Sequence, residues 1–517
     1  MNTASCKKWI KLSGLAIATS FVLSGCLGGG SNGGGNNDDD NTPSGEPSIH
    51  FNGEAVTKIK LGDPSYQDAD IKALIEALDS EGNDLFDRIV VSGDKVDVNT
   101  SGEYTLKFSV TDSGNNTTEL THTVRVADYG ASDKNFGING LVTRAQADID
   151  NPYGPVKDNQ GNIFITGINS DNHLILMKFK DTGALDSSFG DDGIVTVIND
   201  IDDRHTAIKI NQNNDIYIAG FKNPGSVKEV WVWKYLADGT LDTGFGTTGI
   251  AKITSDSISS IRDIAIDNAG NIYVGGEGRS SKAFFIAKFN ANGEPATEFD
   301  SDGLKIVVSE KTLDIYALAI NSKNQIILAG NTAEGLYLPK LSLWKFDQNA
   351  NPVESFGSEG SLSYTEPGFD SFAYDVMTDD QDNIYVTGSI LAPTVSSIED
   401  MLLIKFNTLG QPVSDFGNQG VVKYNNPDNN GEFQGLALAQ GGDSTIYIAG
   451  IEDLGQKAVV WSYNTQGQLT NHFGEQGIVK YDLGTGSTHG LLIDDERFAL
   501  YLSGTRSTDT FLLKLIN

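Results

Sequence analysis

Short apolar runs, most of them four to six residues long and cut off by glycine, asparagine or aspartate, recur along most of this chain. From about residue 129 to residue 517 they follow a fixed order. One run follows a glycine, as in Gly193-Ile194-Val195-Thr196-Val197, and a second is Ile264-Ala265-Ile266. A turn, Asn268-Ala269-Gly270-Asn271, leads to a third run ending on glycine, Ile272-Tyr273-Val274-Gly275-Gly276, and a fourth is Phe284-Phe285-Ile286-Ala287-Lys288-Phe289. Four such runs predict one antiparallel sheet, and a lone sheet cannot cover both of its apolar faces, so the copies must stack. A phenylalanine followed by glycine or aspartate marks each copy, at Phe136, Phe189, Phe245, Phe299, Phe356, Phe416 and Phe473, spaced 53 to 60 residues apart. Seven stacked copies predict a seven-bladed β-propeller. Its closure is predicted by phase. The chain stops in a fourth-type run, Phe511-Leu512-Leu513-Lys514-Leu515, and Gly140-Leu141-Val142-Thr143 is a spare copy of the strand expected beside it.

Residues 48–128 have another rhythm. Short β-type runs at 49–52, 56–61 and 88–91 precede an alternating pair at 104–110 and 119–126, with Gly114-Asn115 between them as a hairpin signal. Leu106, Phe108 and Val110 share one face and are the expected core, with Tyr104 as a corner residue. The stretch Gly102-Glu103-Tyr104-Thr105-Leu106-Lys107-Phe108-Ser109-Val110-Thr111-Asp112 resembles the closing hairpin of the small immunoglobulin-like domains of pesticidal crystal proteins and many bacterial surface proteins. That resemblance implies a spacer or adhesion module. The longer region resembles delta-60 repeats, visible in Ala237-Asp238-Gly239-Thr240-Leu241-Asp242-Thr243-Gly244-Phe245-Gly246 and in Gly183-Ala184-Leu185-Asp186-Ser187-Ser188-Phe189-Gly190. It departs from that pattern at Ser462 (usually lysine), Leu515 (usually aromatic) and Asp300 (usually glycine). The repeat implies a fold and no particular activity. The expected fold class is all-β: a small immunoglobulin-like β-sandwich at 48–128, followed at 129–517 by a seven-bladed β-propeller closed by an N-terminal strand.

Ahead of both, Lys7, Lys8 and Lys11 precede an apolar run at 12–23 that is too short to span a bilayer as a stable helix, which reads as a signal-peptide core. It ends in Leu23-Ser24-Gly25-Cys26, which resembles the lipobox of bacterial lipoproteins; residues 1–25 would be removed and the Cys26 thiol lipidated. Residues 26–47, rich in glycine, asparagine and aspartate, read as a tether. Leu27 after the cysteine, with no aspartate there, favours the outer membrane over the inner. The other cysteine, Cys6, lies in the removed segment, so the folded part rests on hydrophobic cores without a disulfide. The expected localisation is the cell envelope, with lipid as the membrane attachment.

Net charge is −32, from 69 acidic and 37 basic residues, which excludes nucleic acid as an expected partner. Motifs for phosphate loops and zinc helices are absent from the sequence, no Gly-x-Ser-x-Gly stands at a strand-to-helix elbow, and His50, His122, His173, His205, His472 and His489 are scattered without ligand spacing. No cofactor is expected. Calcium is the one ion that acidic loops such as Asp79/Glu81/Asp84, Asp200/Asp202/Asp203 and Asp379/Asp380/Asp382 would take, although turn formation is the better explanation of such clusters. Lys178, Lys234, Lys288, Lys345, Lys405 and Lys514 repeat at one strand position, as a solvated or inter-blade feature. Aligning the copies on the second run places Tyr153, Thr206, Arg262, Tyr316, Tyr374, Gln434 and His489 at one position that would ring the mouth of the propeller. A position kept only for packing would be apolar and uniform; this one is polar or aromatic and varies, as a ligand-reading surface requires. The expected function is therefore a lipid-anchored binding module for a glycan or protein. The alternatives are a lyase or hydrolase acting on polysaccharide through Arg262 and His489, and a purely structural envelope scaffold.

Overall fold

The structure, a computed structural model, describes residues 45–53, 55–145, 148–197, 206–223, 227–334, 339–366, 368–391, 399–425, 432–453 and 455–517. The expected signal peptide, Cys26 and the tether up to residue 44 lie outside the described residues, as do His205 and the Asp200/Asp202/Asp203 group. The chain divides into two compact units, Met1–Asp128 and Tyr129–Asn517, and both are built from strands.

In the first unit the strands Val56–Lys60, Thr117–Ala127, Gly102–Thr111 and Val90–Gly93 lie side by side in that order, with the first pair parallel and the others antiparallel. A second small sheet pairs Ser48–Phe51 with Ile75–Leu78. Period-two alternation puts Leu106, Phe108 and Val110 inside at 1 % exposure or less, against Val124, Ile49 and Ile75, so the core sits between the two sheets. The Tyr104 hydroxyl donates to the carbonyl oxygens of Asp97 and Thr100, at 3.0 and 2.9 Å, and acts as the expected corner. Sequence reading missed Ile75–Leu78 and the short helix Asp68–Lys72. The strand reads Ile-Glu-Ala-Leu, whose local preference is helical; burial of Ile75 and Ala77 against the other sheet overrides it.

The second unit contains seven antiparallel four-stranded sheets among the described residues. Six take their strands in chain order, the first being Asp150–Lys157, Ile163–Ile168, Leu174–Phe179 and Ile194–Val197. The seventh is Gly486–Asp494, Ala499–Arg506, Asp509–Ile516 and then Leu141–Arg144, which pairs Phe511 with Thr143 and Leu513 with Leu141. The first strands of successive sheets, Asp150–Lys157, Ala207–Ile210, Ile258–Ile266, Thr312–Ile320, Asp370–Thr378, Phe433–Gln440 and Gly486–Asp494, touch one another in order, and the last also touches the first. Apolar side chains fill the space between neighbouring sheets, as where Phe136, Ile165 and Met177 meet Tyr501 and Leu512. The stack is propeller-like.

Local chemistry fixes each repeat. At the turn after the first strand, Asp267 Oδ1 accepts from the amides of Ala269 and Asn271, each at 2.9 Å, while Asn271 Nδ2 donates to Asp267 Oδ2 at 2.8 Å. Asp158 and Asp379 do the same, so the Asp379 carboxylate belongs to its turn. The lysine series is not solvated. Lys178, Lys288, Lys345 and Lys514 are 2–9 % exposed, and every amine of the series lies 4.8–5.9 Å over one or two aromatic rings of its own repeat. Lys288 and Lys345 also donate to the carbonyl oxygens of Gln348 and Thr408 in the following repeat, at 3.1 and 3.2 Å. Each lysine therefore pins a repeat internally, and two of them staple one repeat to the next.

Candidate functional site

In five of the first strands the pairing skips one residue. Arg262, Tyr316, Tyr374, Leu436 and His489 are left out of the ladder between, for example, the pairs Ala373–Gly388 and Asp375–Thr387. The cause is the glycine that ends the third run. A Cβ on Gly276, Gly330, Gly388, Gly450 or Gly504 would meet a carbonyl oxygen of the bulged strand at 1.8–2.1 Å, so only glycine lets the bulge form there. The bulge re-aims the side chain it carries. Tyr153 lies among similar irregularities in the first sheet, and Thr206 directly precedes Ala207–Ile210.

The register corrects one predicted member. In the sixth sheet the bulged residue is Leu436, and Gln434 stands two positions earlier, paired with Ile451. The turn there begins at Gly441, which has no side-chain acceptor, so the Asp or Asn landmark of the other repeats is missing. Thr206 is also not an open surface group: it is fully buried, and its Oγ1 has no hydrogen-bond partner among the described residues.

Arg262, Tyr316 and Tyr374, from three successive sheets, are brought together. The Arg262 guanidinium lies 6.0 Å from the centre of the Tyr316 ring, and the Tyr316 and Tyr374 rings meet edge to face at 5.5 Å. Phe372 runs parallel to Tyr374 at 6.2 Å. All four side chains are half-buried. Arg262 is held by Glu277, through Nε at 3.2 Å and Nη2 at 2.5 Å. Gln434 joins the cluster indirectly, by donating to Glu399, while the Ser389 hydroxyl reaches the Tyr374 hydroxyl at 3.5 Å. Burial pushes Tyr374 up to about 12 and raises Tyr316, with Asp314 adding to the latter. Burial also raises Asp314, with Glu277 contributing, and raises Glu399, with Glu432 contributing.

Tyr153 and His489 form a second group, with ring centres 6.3 Å apart. His489 Nδ1 lies 3.1 Å from the Pro152 carbonyl oxygen, which only accepts; Nδ1 therefore carries the proton and Nε2 is the basic nitrogen of the neutral ring. Burial lowers its pKa, which keeps the ring neutral. Arg262 and His489 lie in the third and seventh sheets, each with its own partner. Asp79 Oδ1 accepts from the amides of Glu81 and Asn83, at 2.9 and 2.8 Å, as a turn residue does. Among the described residues no group of three or more His, Cys, Asp or Glu side chains converges as a metal site.

Two acidic residues that the sequence reading passed over follow directly on bulges. Asp263 accepts from the amide of Leu318 in the next sheet at 2.9 Å, and Asp375 from that of Leu438 at 2.7 Å. Each carboxylate joins two sheets. The signal was present in the sequence: the same position holds Gly154, Ala207, Ala317, Ala437 and Gly490 in the other repeats, so a charged residue there is out of pattern.

No curated protein matches the chain. Among solved structures it is similar to the β-propeller domain of Cps50 (Swd1) from Myceliophteria thermophila, at 9 % identity and a TM-score of 0.42, covering 72 % of this chain and 98 % of that one. A PL25 polysaccharide lyase, an ulvan lyase bound to a glucuronic acid and sulfated rhamnose unit, matches at 12 % identity and a TM-score of 0.44, covering 72 % and 96 %. The polysaccharide lyase Uly1 matches at 10 % and 0.44, covering 73 % and 98 %. Likenesses of this size say nothing about the activity of this chain. Residues 49–126 match the family described as bacterial surface protein, Ig-like domain.

Proposed function

We propose that this chain is a lipid-anchored protein of the bacterial envelope, in which an Ig-like module and a tether carry a closed seven-bladed propeller of delta-60 type whose mouth binds a glycan or a protein. The lipobox-like Leu23-Ser24-Gly25-Cys26 after a signal-like run supports the anchor, and Leu27 in place of an aspartate supports the outer membrane over the inner. Seven sheets whose first strands touch in a cycle support the ring. The observation that carries the binding reading is the contact chain Arg262–Tyr316–Tyr374, half-exposed and raised on bulges at a first-strand position that varies between repeats. Aromatic faces beside hydrogen-bonding groups suit stacking with directional contacts.

A thermal-shift screen of the mature chain against glycans and peptides tests this. A ligand at 100 times its dissociation constant adds about 2.7 kcal/mol of stability, and the shift should vanish in Tyr374→Ala. A shift that survives Tyr374→Ala and Tyr316→Ala moves the site elsewhere. Labelled palmitate should enter the wild type and not Cys26→Ser; equal labelling would remove the anchor. A second reading, an enzyme acting on polysaccharide, has one supporting observation: a neutral imidazole, His489, beside the Tyr153 phenol. Its second expected group, Arg262, is neutralised by Glu277. A new reducing end or an unsaturated product would establish that reading.

A further inference from the structure

We propose that the corner formed by Tyr316, Tyr374 and Phe372 receives an organic cation, the ammonium or guanidinium end of a lysine or arginine side chain presented by a peptide partner. This rests on the mouth being a binding surface and specifies the charge of what it binds. Aromatic faces carry negative potential and attract cations, more strongly where water is partly excluded. One cation, Arg262, already sits against the Tyr316 ring, but Glu277 cancels its charge. Two further carboxylates flank the rings. Asp314 is on the same strand as Tyr316, two residues earlier, and Glu399 is near enough to Tyr374 to act on its phenol. Neither forms an ion pair among the described residues. The charged groups facing them are Glu277 and Arg262 about Asp314, and Glu432 about Glu399. Glu399 is half-buried, and burial with the neighbouring Glu432 raises its pKa, while Asp314 is exposed and open to an approaching group, so negative charge stands beside the rings. An incoming ammonium relieves that charge. A neutral sugar would use the ring faces and leave it in place; an anionic polysaccharide would add to it, within the field of a chain of net charge −32.

Calorimetric titration of the mature full-length chain with three probes tests the assignment: a lysine–glycine hexapeptide, a glucosamine oligomer and an oligogalacturonate. The hexapeptide should bind, weaken with added salt, and lose about tenfold in affinity in the Asp314→Asn, Glu399→Gln double variant, with unfolding temperature unchanged. Because binding favours the ionised carboxylates, it should also release protons and strengthen as pH rises through their range. Binding of the oligogalacturonate that depends on Tyr374 would overturn the cation while leaving the mouth reading intact. The glucosamine oligomer binding where the hexapeptide does not would overturn the peptide. If no probe depends on Tyr374, the mouth reading falls as well.

Discussion

Asp375 shows opposing forces acting on a single side chain. Its carboxylate accepts from the amides of Val376 and Leu438, at 2.8 and 2.7 Å, which favours the charged form. Burial and the neighbouring Asp263 outweigh those donors and push it up to about 7, from a reference value of 3.8. With its folded pKa raised, the group contributes stability that is full below the reference value and lost as pH rises through 7. A shift of about three units corresponds to at most about 4 kcal/mol. Between pH 5 and 8 the wild type should therefore lose more stability than Asp375→Asn in urea unfolding; parallel losses would show that the carboxylate is not strained. Asp263→Asn should lower the pKa of Asp375, read by NMR. The sequence displayed both residues as exceptions at a small-residue position. It did not reveal that a bulge turns them toward the next sheet, because that depends on backbone contacts across the strand pair.

At the scale of the element, the bulge is the device by which a repeat would present the proposed site. Gly388 allows it, since a Cβ there would lie 1.8 Å from the Phe372 carbonyl oxygen. Gly388→Ala should cost roughly 1–3 kcal/mol in thermal unfolding and shift the near-ultraviolet signal of Tyr374 and its neighbours. A neutral substitution would mean that the strand has room to relax. Replacing Lys405 by Met, which leaves the Asp379 turn without its amine and the Tyr385 and Phe416 rings without their cation, should destabilise by roughly 1–3 kcal/mol. Strand identity and repeat phase were legible because apolar runs, turn residues and glycines recur together. Gln434 was misplaced because Leu436, the residue on the bulge, is apolar and reads as part of the second run on which the copies were aligned. The lysines read as solvated or as joining neighbouring repeats; the second holds for Lys288 and Lys345, and the rings beneath each amine were hidden because a side chain's charge says nothing about them. The strand Ile75–Leu78 was hidden by helix-favouring residues that long-range burial overrides.

At the scale of the whole molecule, the two ends of the second unit meet within one turn. In the first sheet Gly183 donates to the Lys180 carbonyl at 2.9 Å and Lys180 to that of Ala184 at 2.8 Å. In the seventh, Gly130 donates to Ile516 at 2.7 Å and Ile516 to Ala131 at 2.9 Å, so Asn517 and Tyr129 stand where Asp181 and Thr182 would be. The loop glycines add to this: Gly190 donates to Asp238 in the next repeat, and Gly474 donates to Tyr129. The proposed mouth site needs successive sheets held in this order, so the ring is the claim on which the rest depends. It is tested most directly by a permuted chain in which Asn517 is joined to Tyr129, the turn between Asn268 and Ala269 is opened, and residues 1–128 are carried at the new start. If the ring is closed as proposed, the permuted chain should unfold cooperatively, within a few degrees of the wild type. A chain that fails to fold, or melts without a cooperative transition while the uncut parent does not, would contradict the closed ring and the site built on it.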